Sequence, residues 1–366
     1  MFAKRLRRLA ERQGAAGIDC VALMPGPNLR YLTGMTLPMS ERPIVAFFAL
    51  DRRPAVLLPT LEKGRAEGMA GDDVDFFSYA DEEGPDCAFA RVVEALELDG
   101  KRVSVEYRHM RVLELRSLEV VAPRARFASM EETFPELRII KDRHEVGAIC
   151  DAIAKTEQAL HALISRPLIG STERQIANRL MQEMMKAGAE RVGFIIVVAG
   201  PNGADPHAGP SGRPVQEGEL MTVDCGTVHD GYPSDITRTF AFGEVNDELR
   251  RIYEVVGRSN AAGRDAARPG VASQDVDRAA RKVIEDAGYG EYFIHRTGHG
   301  LGLEGHEPPY IVEGNERRLE PGMVLTIEPG IYIPGVGGAR IEDDVVITED
   351  GLECLTTFPR ELMVVS

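Results

Sequence analysis

The chain has 366 residues, 43% of them hydrophobic and 28% charged, so it can bury a sizeable core and its length predicts two domains. A formal net charge of -15 excludes general nucleic-acid affinity, which needs a basic face, and no apolar stretch approaches the roughly 20 residues of a membrane span. Cys20, Cys87, Cys150, Cys225 and Cys354 are odd in number and never in a CxxC pair, which excludes a disulfide scaffold or zinc ribbon and predicts a reduced, cytoplasmic protein.

At the N-terminus no apolar region follows the basic residues Lys4, Arg5, Arg7 and Arg8. Phe2, Leu6 and Leu9 instead fall on one stripe of an amphipathic helix. Short apolar runs at Cys20–Leu23, Ile44–Leu50, Ala55–Leu58 and Val103–Glu106 predict strands, with Asp51-Arg52-Arg53-Pro54 as a turn. Residues 1–135 are therefore a small α/β domain, in which no His, Asp and Glu gather at useful spacing. A connector around Pro123–Pro135 and a long helix from about Asp142 to Ser165 place the second domain at 136–366.

This second domain contains an internal repeat. Arg166-Pro167 precedes a helical pattern from Thr172 to Gly188, and Arg268-Pro269 precedes another from Ser273 to Gly288. Each is expected to begin on a capping hydroxyl and to stop at a glycine, and Thr172 with Gln175 makes a capping box. Downstream, the segment Glu217 to Gly226 resembles Pro321 to Gly330, and Asp224 falls on Glu328. Two similar halves, each with helices followed by strands, predict a pseudo-symmetric α+β domain with its site on the local axis.

Within each half a hairpin offers a pair of acids. Asp224 and Asp235 flank the turn-like His229-Asp230-Gly231, and folding there makes them approximate cross-strand neighbours. Glu328 and Glu342 flank Gly335 in the same way. Opposed carboxylates destabilise a sheet unless cations neutralise them. Any one of these acids alone reads equally well as a solvent-facing charge; four at repeated positions do not. His299 lies among glycines in Thr297-Gly298-His299-Gly300-Leu301-Gly302. His207 precedes the first hairpin, His306 follows His299, and Arg340 shares a strand face with Glu342 as either a charge balancer or a substrate contact. One imidazole with four carboxylates is an oxygen-rich set suited to catalytic Mn, Co, Fe or Zn. A pair of such ions with a bridging water is machinery for hydrolysis.

The segments Asp224-Cys225-Gly226, Gly231 to Thr239, Thr297 to Glu307, Thr326-Ile327-Glu328-Pro329-Gly330 and Arg340-Ile341-Glu342-Asp343 resemble the Xaa-Pro dipeptidase (prolidase) and Xaa-Pro aminopeptidase branch of the M24 metallopeptidases. The resemblance runs from about residue 136 to the end. More weakly, Asn28 to Gly34 is similar to the creatinase/prolidase N-terminal domain. It implies a "pita-bread" catalytic domain, a homodimer, and two divalent ions per chain (Mn, Co or Zn). It further implies that Asp224 and Asp235 hold one metal, that His299 and Glu328 complete the other, and that Asp235 and Glu342 bridge. Glu328 is the implied proton carrier, and His207 and His306 match histidines that bond the scissile carbonyl. Arg340 matches an arginine near the substrate. Gly305 departs from the larger aliphatic residue usual in this branch, which leaves the shape of the proline pocket open.

The implied reaction is hydrolysis of the Xaa-Pro bond in dipeptides or short peptides, with dipeptides favoured. The alternatives are an Xaa-Pro aminopeptidase, another C–N hydrolase of the same fold, and a non-catalytic binding protein. Methionine aminopeptidases usually lack a leading domain, while creatinase and the binding proteins lack the metal set, which is intact here.

Overall fold

The computed structural model describes residues 2–70, 73–134 and 137–366. It divides into two compact units, Met1–Leu137 and Arg138–Ser366. The boundary expected between residues 135 and 136 lies outside the described residues.

The first unit opens on the helix Phe2–Ala16, whose buried face is Arg5, Leu9 and Gln13 rather than the stripe of Phe2, Leu6 and Leu9. Arg5 can be buried because it is partnered: its guanidinium donates to Tyr31 O at 3.0 Å and lies 4.0 Å from the centre of that ring. Six strands form one sheet in the spatial order Asp75–Tyr79, Ala55–Pro59, Val45–Ala49, Cys20–Leu23, Arg102–Val105, Arg126–Ser129. The Cys20–Leu23 strand is buried throughout, as a central strand covered on both faces should be. Helices Thr60–Ala70, Asp86–Ala95 and Val112–Val121 accompany the sheet, and Phe89, Val92 and Leu118 join Phe47, Leu57 and Val103 in its core.

The second unit shows the repeat in three dimensions. Its first half has helices Arg143–Ile164 and Glu173–Lys186, then antiparallel strands Arg191–Ala199, Leu220–His229 and Ile236–Phe242. Its second half has helices Asp247–Ala266 and Ser273–Asp286, then a sheet ordered Glu307–Ile311, Gly298–Gly300, Val324–Ile327, Asp343–Ile347, Leu352–Cys354. Isolated bridges occur at corresponding places just before the second helix of each half, Thr172 with Pro214 and Ala272 with Arg318. This is the expected pseudo-symmetric α+β architecture.

Helix starts separate the halves. Asp142 caps the first helix with Glu145 in a capping box, and Thr172 caps the next with Gln175. Ser273 is not a cap, contrary to expectation: the cap position is Ala272, and the Ser273 hydroxyl donates to Arg317 O at 3.0 Å. A backbone carbonyl within reach takes the hydroxyl that the helix end would otherwise use. The hydrophobic faces of these helices pack on the sheets; Ile149, Leu160, Ile176 and Leu180 meet Val223, Phe240 and Val324 in one cluster.

Candidate metal centre

The first hairpin turns at Asp230-Gly231, where both residues have positive φ (47° and 76°), the geometry a two-residue hairpin loop demands. His229 therefore pairs with Tyr232, and Asp224 pairs with Thr237 instead of Asp235. The turn centre lies one residue later than the sequence suggests, because only Asp230 and Gly231 in that stretch tolerate left-handed backbone. A shift of two residues in partner keeps the face unchanged. Asp235 consequently remains on the face of Asp224, as a diagonal neighbour. Its backbone N–H donates to Asp344 Oδ2 at 3.0 Å.

On the second hairpin the expected register is present. Ile327 pairs with Asp343 and Gly330 with Arg340, so Glu328 and Glu342 stand directly opposite between them. The hairpins are stitched together by the Glu342 N–H, which donates to Thr237 O at 3.1 Å. The Glu328 N–H donates to Thr297 O at 2.7 Å, drawing in the His299 strand. His299 sits there with its N–H on Thr326 Oγ1 at 3.1 Å. A side chain at Gly298 would collide with the Thr326 carbonyl, so a glycine is needed for this close approach. The His299 Nδ1–H donates to Gly300 O at 3.1 Å, which leaves the Nε2 lone pair facing the acids. That nitrogen lies 3.3 Å from Glu328 Oε1 and 3.6 Å from Asp235 Oδ2.

The ligand atoms form overlapping triads: Asp224, Asp235 and Glu342 in one, and His299, Glu328 and Glu342 in another, with the atoms of each within 4.8 Å of one another. Asp235, His299 and His306 make a third. Burial, then the neighbouring Glu342 and Asp224, pushes the Asp235 carboxyl well above the usual carboxylate range. Burial and Glu328 do the same to Glu342. Burial lifts Glu328 to about 7 and lowers His299 to about 3.

Arg340 is the guanidinium that meets this cluster, with Nη2 on Asp224 Oδ2 at 2.5 Å, Nε on Thr237 Oγ1 at 3.0 Å and Nη1 on the Tyr332 hydroxyl at 2.8 Å. Asp224 Oδ1 and Glu342 Oε1 are buried without a hydrogen-bond partner. Orphaned carboxylate oxygens beside an unprotonated imidazole nitrogen are the donor set of a divalent cation, so the residues fit the metal that the sequence implies.

All eight residues singled out in the sequence, His207, Asp224, Asp235, His299, His306, Glu328, Arg340 and Glu342, line one cleft of about 830 Å³. His207 and His306 are exposed at its lip, and the His306 ring stands 4.0 Å from that of His299. Phe194, Ile196 and Pro206 supply an apolar wall. Ile196 pairs across the sheet with Asp224, which sets that wall beside the acids.

Sequence reasoning missed His295 and Tyr332. The His295 Nε2 is 2.9 Å from the Tyr332 hydroxyl, and burial lowers its pKa to about 4. No spacing rule marks either residue; only the return of the hairpin brings Tyr332 to Arg340. Gly305 lines the cleft, and a Cβ there would meet open space.

The model of metallopeptidase family M24 matches residues 147–349, and that of the creatinase/prolidase N-terminal domain matches residues 5–140. An Xaa-Pro dipeptidase of Lactobacillus delbrueckii subsp. lactis is 38% identical over 351 residues, covering 95% of each chain. The crystal structure of a recombinant prolidase from Thermococcus sibiricus superposes with a TM-score of 0.94 at 34% identity, covering 100% of this chain and 99% of that one. An X-Pro aminopeptidase from Thermotoga maritima superposes with a TM-score of 0.87 at 31% identity, covering 98% of this chain and 99% of that one.

The cluster predicts how stability responds to pH. His299 and His295, with lowered folded pKa values, lose stability as pH falls below about 6.5, and their contribution is complete above it. The raised carboxyls act oppositely: the folded state holds protons that the unfolded chain releases, so stability falls as pH rises toward and past the folded pKa. Between about pH 7.5 and 8.5, a unit or more above the unfolded histidine pKa, only the carboxyls of this cluster contribute to the slope. Thermal melts of metal-stripped protein should therefore show a falling midpoint across that window. Added Mn should raise the midpoint more at the upper end than at the lower. A flat or rising midpoint with no metal effect would contradict the cluster.

Proposed function

The chain belongs to metallopeptidase family M24, and from that membership we propose that it is an Xaa-Pro dipeptidase working with two divalent cations. The observation that carries the reading is the pair of largely buried triads sharing Glu342, which offers two neighbouring positions joined by one carboxylate. The cations would be held by Asp224 and Asp235 on one side and by His299 and Glu328 on the other, with Asp235 and Glu342 reaching both. When bound, they supply Lewis acidity and an acidified water.

The protein's own groups do the rest. Glu328, which lines the cleft beside the position of that water, would accept a proton from it and return the proton to the proline nitrogen as the C–N bond breaks. His207 and His306, at the lip of the cleft, would hydrogen-bond the scissile carbonyl and the charge that develops on it. Arg340, fixed by Asp224, Thr237 and Tyr332, lines the cleft, where it would balance the charge of the acids close to the substrate. An Xaa-Pro amide has no N–H to donate, so recognition falls to shape and apolar contact; Phe194, Ile196 and Pro206 form the surface for the proline ring.

Mn is the cation we favour, because four carboxylates and one imidazole form an oxygen-rich set. A homodimer and a cytoplasmic location complete the proposal. Among the described residues no helix is long and apolar enough to cross a membrane.

Rates on Xaa-Pro dipeptides and Xaa-Pro-Yaa tripeptides, with Mn, Co or Zn restored to metal-stripped protein, test the substrate. Dipeptides should be cut and tripeptides spared. Faster tripeptide cleavage would make the protein an Xaa-Pro aminopeptidase, the reading supported by its likeness to the Thermotoga structure. A separate variant tests the proton carrier: Glu328→Gln should lower kcat by about a hundredfold or more while dipeptide binding changes little. Unchanged turnover would remove Glu328 from that role.

A further inference from the structure

His306 is carried by the loop between the Gly298–Gly300 and Glu307–Ile311 strands, and this loop contains Gly302 and Gly305. Glu304, Gly305 and His306 all face the cleft. A glycine-rich, exposed loop does not by itself hold an imidazole at a fixed place. Two cations at the start of the catalytic unit fasten it. The Lys141 ammonium, 1% exposed, donates to Glu307 Oε1 at 2.6 Å. Arg138 Nη1 lies 2.9 Å from the other oxygen of that carboxylate, and Arg138 Nη2 pairs with Glu304.

The post to which the loop is tied is itself rigid. The Lys141 N–H donates to Gly322 O at 2.8 Å, and Ile140 bridges to Met323, next to the strand that leads to Glu328. A side chain at Gly302 would occupy the place of the Glu307 carboxylate, so loop and anion are packed as one piece. Burial would raise the Glu307 carboxyl, but Lys141 and Arg138 outweigh it and hold the group below its ordinary range. A buried ionic cluster is a poor source of stability compared with apolar packing, and its better-attested use is to fix a geometry.

We propose that Lys141 and Arg138, acting through Glu307 and Glu304, are positioning residues that hold His306 over the metal centre for its contact with the substrate carbonyl. The proposal rests on the reading of His306 given above. It extends the working parts of the site to the segment just before the first catalytic helix, well outside the ligand motifs.

The test is a double-mutant cycle on the metal-loaded enzyme with an Xaa-Pro dipeptide. Lys141→Met and Arg138→Met are each made alone and together with His306→Ala, with metal content and thermal midpoint recorded. Arg138, 11% exposed, carries the test if the fully buried Lys141→Met does not fold. Arg138→Met should lower kcat about ten- to a hundredfold with KM little changed, since a misplaced group costs rate before affinity. It should cause little further loss in the His306→Ala background, and Arg138→Lys should restore part of the rate. An equal loss in both backgrounds, or wild-type kcat in Arg138→Met, would overturn the proposal while leaving the role of His306 standing. Wild-type kcat in His306→Ala would overturn that role and this proposal together.

Discussion

Four carboxylates packed within a few ångströms, largely out of water, are the interaction around which the catalytic unit is arranged. Their mutual repulsion and desolvation are too costly for a charged cluster to stand alone. The protein responds in two ways. Protons are held, as the raised Asp235, Glu328 and Glu342 carboxyls show, and the Arg340 guanidinium is locked against Asp224. Neither supplies partners for Asp224 Oδ1 and Glu342 Oε1, so the cluster makes physical sense as a cation site that is tolerable in the metal-free fold.

The scaffold has to keep these groups close despite their repulsion, and it does so with backbone. The acids sit on or beside strands whose neighbours bond their backbone N–H groups: Glu342 to the Thr237 carbonyl, Glu328 to the Thr297 carbonyl, and Asp235 to the Asp344 carboxylate. Side chains then set fine positions, as Thr237 does by donating to Glu342 Oε2 at 2.6 Å. Asp343, next to Glu342, is held by Arg238, Arg264 and Arg360, so the end of that strand is pinned from behind. The rigidity lies in the two hairpins, while His207 and His306 stand on loops at the lip, the latter tied down by Arg138 and Lys141. This division suits catalysis, which needs fixed charges and a substrate able to enter.

Much of this was legible in the sequence where a local rule governs it. The repeat, the capping box at Thr172, the helix start near Asp142, the strand at Cys20–Leu23 and the Glu328–Glu342 pairing all follow from periodicity, cap chemistry or symmetry about a turn glycine. The turn of the first hairpin lies one residue beyond the midpoint of Asp224 and Asp235, because it is set by which residues accept positive φ. The roles of Ser273 and Arg5 are decided by distant partners, Arg317 O and Tyr31, which no local pattern marks. His295 with Tyr332, Arg138 with Glu304 and Lys141 with Glu307 lie beyond such patterns for the same reason. Their pairings join residues separated by 37, 166 and 166 positions, and no short-range pattern encodes them.

The central claim is that the shared carboxylate cluster binds two cations side by side. Anomalous diffraction from crystals grown with Mn measures this directly. The account predicts two anomalous peaks per chain, about 3.5–4 Å apart, with Glu342 between them. A single peak, or peaks away from Asp224, Asp235, His299, Glu328 and Glu342, would contradict it.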